Sequence, residues 1–200
     1  MNPILVATTS KYKKAQLAGL GLALEWAAPE YDEPDLPHLP ADQVAAEHAL
    51  LKAESLLDRF PNHLIIGLDQ TLILDGQILR KPGTVERAVA QLSAMSGKTH
   101  QLHTAFALAQ KGKPTETRTI VANLTLLPDL TAHFLKAMVE RDETWDCAGA
   151  YKIEASACTI LERVECDDPS SIIGVPLIAL CRSLAQRGYF PTRQRQAETS

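Results

Sequence analysis

An aspartate and a glutamine interrupt an oily run at Leu64-Ile65-Ile66-Gly67-Leu68-Asp69-Gln70, and the run resumes at Thr71-Leu72-Ile73-Leu74. A carboxylate buried in such a strand is costly unless a cation or a metal compensates it. Gly67, two residues earlier on the same face, leaves room beside the carboxylate for a ligand. The competing reading stops the strand at Gly67 and leaves Asp69 exposed in a turn. The resumed strand pattern favours the buried acid.

A second candidate is Thr8-Thr9-Ser10-Lys11-Tyr12-Lys13-Lys14, where a short apolar strand opens into hydroxyls and a helix starts with lysines. Helix dipoles favour acids in the first turn, so cations there are locally unfavourable. A bound anion would reverse that sign, with free N–H groups, hydroxyls and ammonium groups converging on a phosphate-sized target. Ser10 as an ordinary N-cap with solvated lysines explains the same residues. The segment is not GxxxxGK[ST], so the common phosphate-loop mechanism does not apply.

Isolated ions complete the set. Glu33 lies in a proline-bounded loop and reads by itself as a solvated acid. Lys52 lies well off the apolar stripe of its helix and reads as a surface lysine. Lys81, in Arg80-Lys81-Pro82, follows a hairpin that folds it back toward Asp69. In Cys147-Ala148-Gly149-Ala150-Tyr151-Lys152-Ile153-Glu154 a small-residue turn delivers an aromatic, a lysine and an acid. That turn could frame a base, with Glu154 accepting from ring N–H donors, or be a packed turn with salt-bridged charges.

The elements that must position these groups read as mixed α/β. Ile4–Ala7 and Leu22–Ala27 are short strands, and residues 28–40, with four prolines, are a loop of a length that is usually functional or mobile. Ala41–Phe60 is a helix with Ala46, Ala49, Leu50, Ala53, Leu57 and Phe60 in one stripe. Leu64–Leu74 is a long strand turned by Asp75-Gly76, a strong hairpin signal. A helix over Thr84–Met95 ends at Gly97. Strands 98–109 and 115–126 flank Lys111-Gly112-Lys113, and a helix follows from Asp129. The strand Thr159–Val164 precedes a closing helix with Pro176 in its first turn, an apolar face of Leu177, Leu180, Cys181 and Leu184, and a stop at Gly188. Residues 191–200 read as a polar C-terminal tail.

Composition excludes several classes. Two hundred residues with 46% hydrophobic and 22% charged side chains suit one globular domain or two lobes, 1–80 and 81–190, sharing a sheet. A formal charge of −4 argues against a broad nucleic-acid surface. No apolar run has a membrane helix's length, and the N-terminus lacks a signal peptide's basic flank, so a cytoplasmic protein is expected. Cys147, Cys158, Cys166 and Cys181 form no CxxC pair, which speaks against a zinc ribbon and for buried free thiols. His100 and His103 fall on opposite faces of their strand, so they are structural or exposed rather than paired ligands.

Taken together, the segments resemble the Maf family of nucleoside-triphosphate pyrophosphatases over nearly the whole chain. The resemblance rests on six collinear pieces: Leu5-Val6-Ala7-Thr8-Thr9-Ser10-Lys11-Tyr12-Lys13; Tyr31-Asp32-Glu33; Lys52-Ala53; Ile66-Gly67-Leu68-Asp69 with Leu74-Asp75-Gly76 and Lys81-Pro82; Ala148-Gly149-Ala150-Tyr151; and Ile173-Gly174-Val175-Pro176-Leu177. Gln70, Cys147-Ala148-Gly149, Lys152 with Glu154, Leu161-Glu162-Arg163 and Pro176 to Cys181 resemble the family's 7-methyl-GTP branch. The family pattern departs here at Lys13, where arginine is usual, and at Leu68, Arg80, Asn123, Leu124, Ala155, Ala157 and Cys166.

The resemblance implies a fold and a mechanism. The fold is α/β, a mixed twisted β-sheet flanked by helices with two lobes and a central cleft, forming a single domain over 1–190. The reaction is hydrolysis of a nucleoside triphosphate to the monophosphate and pyrophosphate. Asp69 acts as base and, with Glu33, holds a divalent cation, Mg²⁺ or Mn²⁺. Ser10, Lys13, Lys52 and Lys81 neutralise the phosphates, while Tyr12, Gln70 and Glu154 read the base. The partner is the nucleotide, not nucleic acid or membrane, and a homodimer is in keeping with such families. A dTTP/UTP-type specificity, or a nucleotide-binding regulator with weak catalysis, are the alternatives.

Overall fold

The computed structural model describes residues 1–190, so the expected polar tail at 191–200 lies outside the described residues. The elements are β1 (Ile4–Ala7), α1 (Lys11–Ala18), β2 (Leu24–Ala27), α2 (Ala41–Glu54), β3 (Leu64–Leu74), β4 (Gln77–Leu79), α3 (Val85–Met95), β5 (Thr99–Ala109), β6 (Glu116–Leu126), α4 (Ala132–Asp142), β7 (Leu161–Cys166) and α5 (Leu177–Gln186). Short 3₁₀ turns over Thr144–Asp146, Ala148–Ala150, Ala157–Thr159 and Pro169–Ile173 fill the connections. The mixed α/β expectation holds.

One sheet runs through the molecule in the order β2-β1-β3-β5-β6-β7, with β4 paired to β3. β1 is parallel to both β2 and β3, as helical crossovers require. From β3 onward the neighbours β5, β6 and β7 are antiparallel. β3 is the pivot. β1 covers one edge of it only over Leu64–Gly67, and β4 covers the same edge only over Leu72–Leu74. Residues 68–71 lie between the two.

Strand alternation distributes the core. Ile65 packs with the Ala45, Ala49, Ala53 stripe of α2, while Leu64, Ile66 and Leu68 pack with Leu17 of α1 and Leu180 and Leu184 of α5. Beyond the gap, Leu72 and Leu74 join α3 and α4 through Leu92, Met95, Leu135 and Val139. The Asp75-Gly76 turn has both residues at positive φ, 50° and 78°, as a two-residue hairpin demands.

Several expectations needed adjustment. α2 ends at Glu54, and the chain continues to residue 59 in turns. Its buried residues are Val44, Ala45, His48, Ala49, Lys52 and Ala53, which share Ala49 and Ala53 with the expected stripe, while Ala46, Leu50, Leu57 and Phe60 pack beside them only partly buried. Pro176 is the N-cap of α5, just ahead of its first turn. The cysteines are free, but Cys158 is exposed and the other three only partly buried. His100 and His103 are both buried, His100 against Tyr151 and His103 against Gln101. No helix among the described residues is long and apolar enough to cross a membrane.

Candidate active site

Asp69 sits in the uncovered stretch of β3 and is only 8% exposed. Its Oδ1 accepts from the Lys52 ammonium at 2.7 Å. The same ammonium lies 2.8 Å from Glu33 Oε1. Lys52 is thus a buried cation held by two carboxylates, not the surface lysine its helical position suggested. Burial pulls its pKa down, but the Asp69 and Glu33 partners outweigh that and leave it above the ordinary lysine value. Burial pushes the Glu33 carboxyl up, and the hydrogen bond and charge of Lys52 bring it below its usual value.

Gly67 explains how Lys52 gets there. A β-carbon on Gly67 would overlap the Ala49 carbonyl oxygen and stand 2.9 Å from the Ala53 nitrogen. The glycine therefore makes room for α2, not for a ligand as the strand pattern suggested. With α2 pressed onto β3, the residue before Ala53 reaches the residue two beyond Gly67.

The α1 start is a cap and more. Ser10 is the N-cap, its Oγ accepting from Lys13 N at 3.4 Å. Lys13 is not solvated: its Nζ donates to the Leu68 carbonyl at 2.8 Å, on the stretch of β3 that neither β1 nor β4 covers. Burial lowers the Lys13 pKa to about 8; Asp69 opposes the shift and the Lys52 charge adds to it. Lys11 and Lys152 bring their Nζ atoms to 5.0 and 5.4 Å from the Tyr12 ring centroid. That is cation–π distance.

Gln70 turns to the other face of the sheet. Its amide nitrogen donates to Thr104 Oγ1 and to the Ser171 and Ile172 carbonyls, fastening the Pro169–Ile173 turn to β3. In the 146–154 segment, Gly149 lies at φ 80°, where a β-carbon would meet Leu72 Cδ1 at 2.5 Å. Lys152 donates to the Asp142 and Glu143 carbonyls at the end of α4. It does not salt-bridge Glu154, which is exposed and has no cationic partner among the described residues. The turn is packed, but not by paired charges.

All of these groups line one cleft of about 500 Å³: Ser10, Tyr12, Lys13, Glu33, Lys52, Asp69, Gln70, Lys81 and Glu154. Sequence reasoning passed over Asp146, which also lines it and accepts from the Tyr12 hydroxyl at 3.3 Å. Its position just ahead of Cys147-Ala148-Gly149 was the available signal. It also passed over the backbone carbonyl of Leu68, for which a sequence holds no signal.

Asp69 and Glu33 could hold a divalent cation. They already converge on one positive centre, and Mg²⁺ is commonly held by one or two carboxylates with phosphate and water completing its shell. Among the described residues no cluster of three or more His, Cys, Asp or Glu side chains is placed to hold a metal without a ligand's help.

An α/β sheet with an anion-ready cleft at the carboxyl end of its first strand, lined by lysines and one embedded acid, defines a class of proteins that bind phosphorylated ligands. Within that class the chain belongs to the Maf family, whose profile, described as Maf-like protein, matches residues 3–187. It is 39% identical over 187 residues to the 7-methyl-GTP pyrophosphatase of Hahella chejuensis, covering 92% of this chain and 94% of that one. It is 36% identical over 189 residues to the 7-methyl-GTP pyrophosphatase of Xanthomonas axonopodis pv. citri, covering 94% and 98%. A solved nucleoside-triphosphatase, dITP/XTP pyrophosphatase, from Mycobacterium abscessus shares 20% identity at a TM-score of 0.42, over 62% of this chain and 74% of that chain. That likeness is too distant to bear on the site.

Proposed function

We propose that this chain is a nucleoside-triphosphate pyrophosphatase acting on 7-methyl-GTP. The observation that carries the reading is the meeting of Lys13, Lys52 and Lys81 with the embedded Asp69 in one cleft at the bare edge of β3. A net-negative protein that gathers ammonium groups around a single pocket is built for a polyanion. The names of the relatives at 36–39% identity support the choice of nucleotide.

In this mechanism the triphosphate lies across the mouth of α1, where the Ser10 hydroxyl donates to it and Lys13 and Lys81 neutralise it. Lys52 ties up Asp69 Oδ1, and Oδ2 takes the proton from an incoming water. The water oxygen bonds to the α-phosphorus as the bond from that phosphorus to the bridging oxygen breaks. The monophosphate and pyrophosphate are the products. Lysines around the cleft stabilise the charge that builds on the departing pyrophosphate. Asp69 and Glu33 are the residues that would hold Mg²⁺ or Mn²⁺, which when bound supplies Lewis-acid polarisation of the phosphoryl oxygens.

At the base, Glu154 is free to accept from guanine N1–H and N2–H₂ together. The Tyr12 ring, which already draws two ammonium groups, offers its face to a cationic methylated purine. Gln70 has spent its amide nitrogen on the 169–173 turn, so only its Oε1 is left for the nucleotide.

A nucleotide panel with Mg²⁺ and pyrophosphate detection tests the reading. We expect the highest kcat/KM for 7-methyl-GTP, and Glu154→Gln to erode its lead over other nucleotides. A lead for dTTP or UTP would reject this substrate, and tight metal-dependent binding without turnover would reject the enzyme.

A further inference from the structure

The loop carrying Glu33 has no buried residue of its own. Across residues 31–40 every side chain is exposed or only partly buried, and none belongs to a helix or strand. Glu33 itself adopts φ 51°, a left-handed conformation that a glutamate takes only at a cost. Such a segment does not hold one carboxylate at one point unless something fastens it. Apolar burial does not, so polar contacts must.

Apart from an exposed ion pair between Asp35 and Arg80, those contacts run to α2 and the turn after it. The Tyr31 hydroxyl and His48 Nδ1 are 3.0 Å apart, with the two rings tilted at 49° and their centroids 5.7 Å apart. His48 is 8% exposed and stands one helical turn before Lys52. Further back along the loop, Glu30 N donates to Ser55 Oγ at 3.0 Å, and that hydroxyl donates to the Lys52 carbonyl at 2.9 Å. The loop is therefore tied on either side of Lys52 along the helix, and Glu33, two residues beyond Tyr31, meets Lys52 between the ties.

We propose that Tyr31 and His48 are positioning residues, and that their hydrogen bond sets the Glu33 carboxylate against Lys52 in the cleft. This inference rests on the reading of Glu33 as part of the site. Neither side chain touches the reacting atoms; each acts through Glu33. The pair replaces the apolar anchoring that the loop lacks, and it counters the left-handed strain at Glu33.

A double-mutant cycle tests it in the whole chain, with kcat and KM measured separately for the preferred nucleotide. Tyr31→Phe removes only the hydroxyl, and it should lower kcat about tenfold, with a smaller change in KM and no loss of thermal stability. In a Glu33→Gln background Tyr31→Phe should cost nothing further, because the group it positions is gone. His48→Asn, which keeps a polar atom near the place of Nδ1, should retain most of the activity that His48→Ala loses. Amide exchange over residues 29–35 should quicken in Tyr31→Phe, independently of turnover. If Glu33→Gln is impaired while Tyr31→Phe lowers kcat equally in both backgrounds, the positioning role is overturned and the site reading stands. If Glu33→Gln turns over like the unmodified enzyme, the site reading itself is overturned, and this inference with it.

Discussion

The backbone of Gly67 in β3 lies directly against the backbone of Ala49 in α2, closely enough that a β-carbon on Gly67 would overlap the Ala49 carbonyl oxygen. That contact brings a helix of small residues down onto the sheet and delivers Lys52 to Asp69. A packing constraint in the core thus sets the electrostatics of the cleft.

Gly67→Ala should therefore damage both stability and activity. Backbone sits on both sides of the new methyl group, so α2 must move, and overpacking of this kind costs about 1–3 kcal/mol or more. Urea denaturation should show that loss. At temperatures where the variant remains folded, kcat should still fall, because Lys52 is carried away from Asp69. Unaltered stability and turnover would mean the contact is easily relieved.

Lys13 gives the site a pH dependence. With its pKa near 8 in the free protein, the ammonium is present below that pH and lost above it. A polyanion needs the charged form, so binding favours protonation. KM for the nucleotide should be flat below pH 8 and should rise about tenfold per pH unit at most above it. Lys13→Arg, which stays charged throughout, should remove the rise. A rise of the same size in the arginine variant would assign the titration to another group.

His100 should mark stability instead. Burial lowers its pKa to about 4, and it pairs with Tyr151 at 2.8 Å inside the core. Between its ordinary value and about 4 the unfolded chain binds the proton and the folded one does not. Stability is thus full above the ordinary histidine pKa and is lost as pH falls through that window, by about 2 kcal/mol at pH 5. Urea midpoints across this range, compared with His100→Phe, measure it: the variant should show a shallower fall.

Much of this was legible in the sequence, and the limits have physical causes. The near-continuous apolar run and the Asp75-Gly76 turn located β3 and its hairpin, and the elements followed in the expected order. The oily run around Asp69 marked a buried acid because so few residues explain a charge in such a place. Lys52 was legible only by resemblance. A helical wheel sorts residues by polarity, but the buried face of α2 is set by closeness of approach, and that depends on a glycine in another element. Gly67 was misjudged for the same reason: a strand pattern shows that a side chain is missing, not what fills the space. The Tyr31–His48 contact and the Leu68 carbonyl that receives Lys13 join segments far apart in the chain, and local patterns do not record such pairings.

The central claim is that the acid embedded in β3 activates water beside a cluster of lysines. Asp69→Asn keeps the size of the side chain and an acceptor for Lys52 but removes the base. Pyrophosphate release from 7-methyl-GTP by Asp69→Asn should fall by on the order of a thousandfold in kcat, while circular dichroism and nucleotide binding persist. Turnover at the rate of the unmodified enzyme, with the fold intact, would contradict the account.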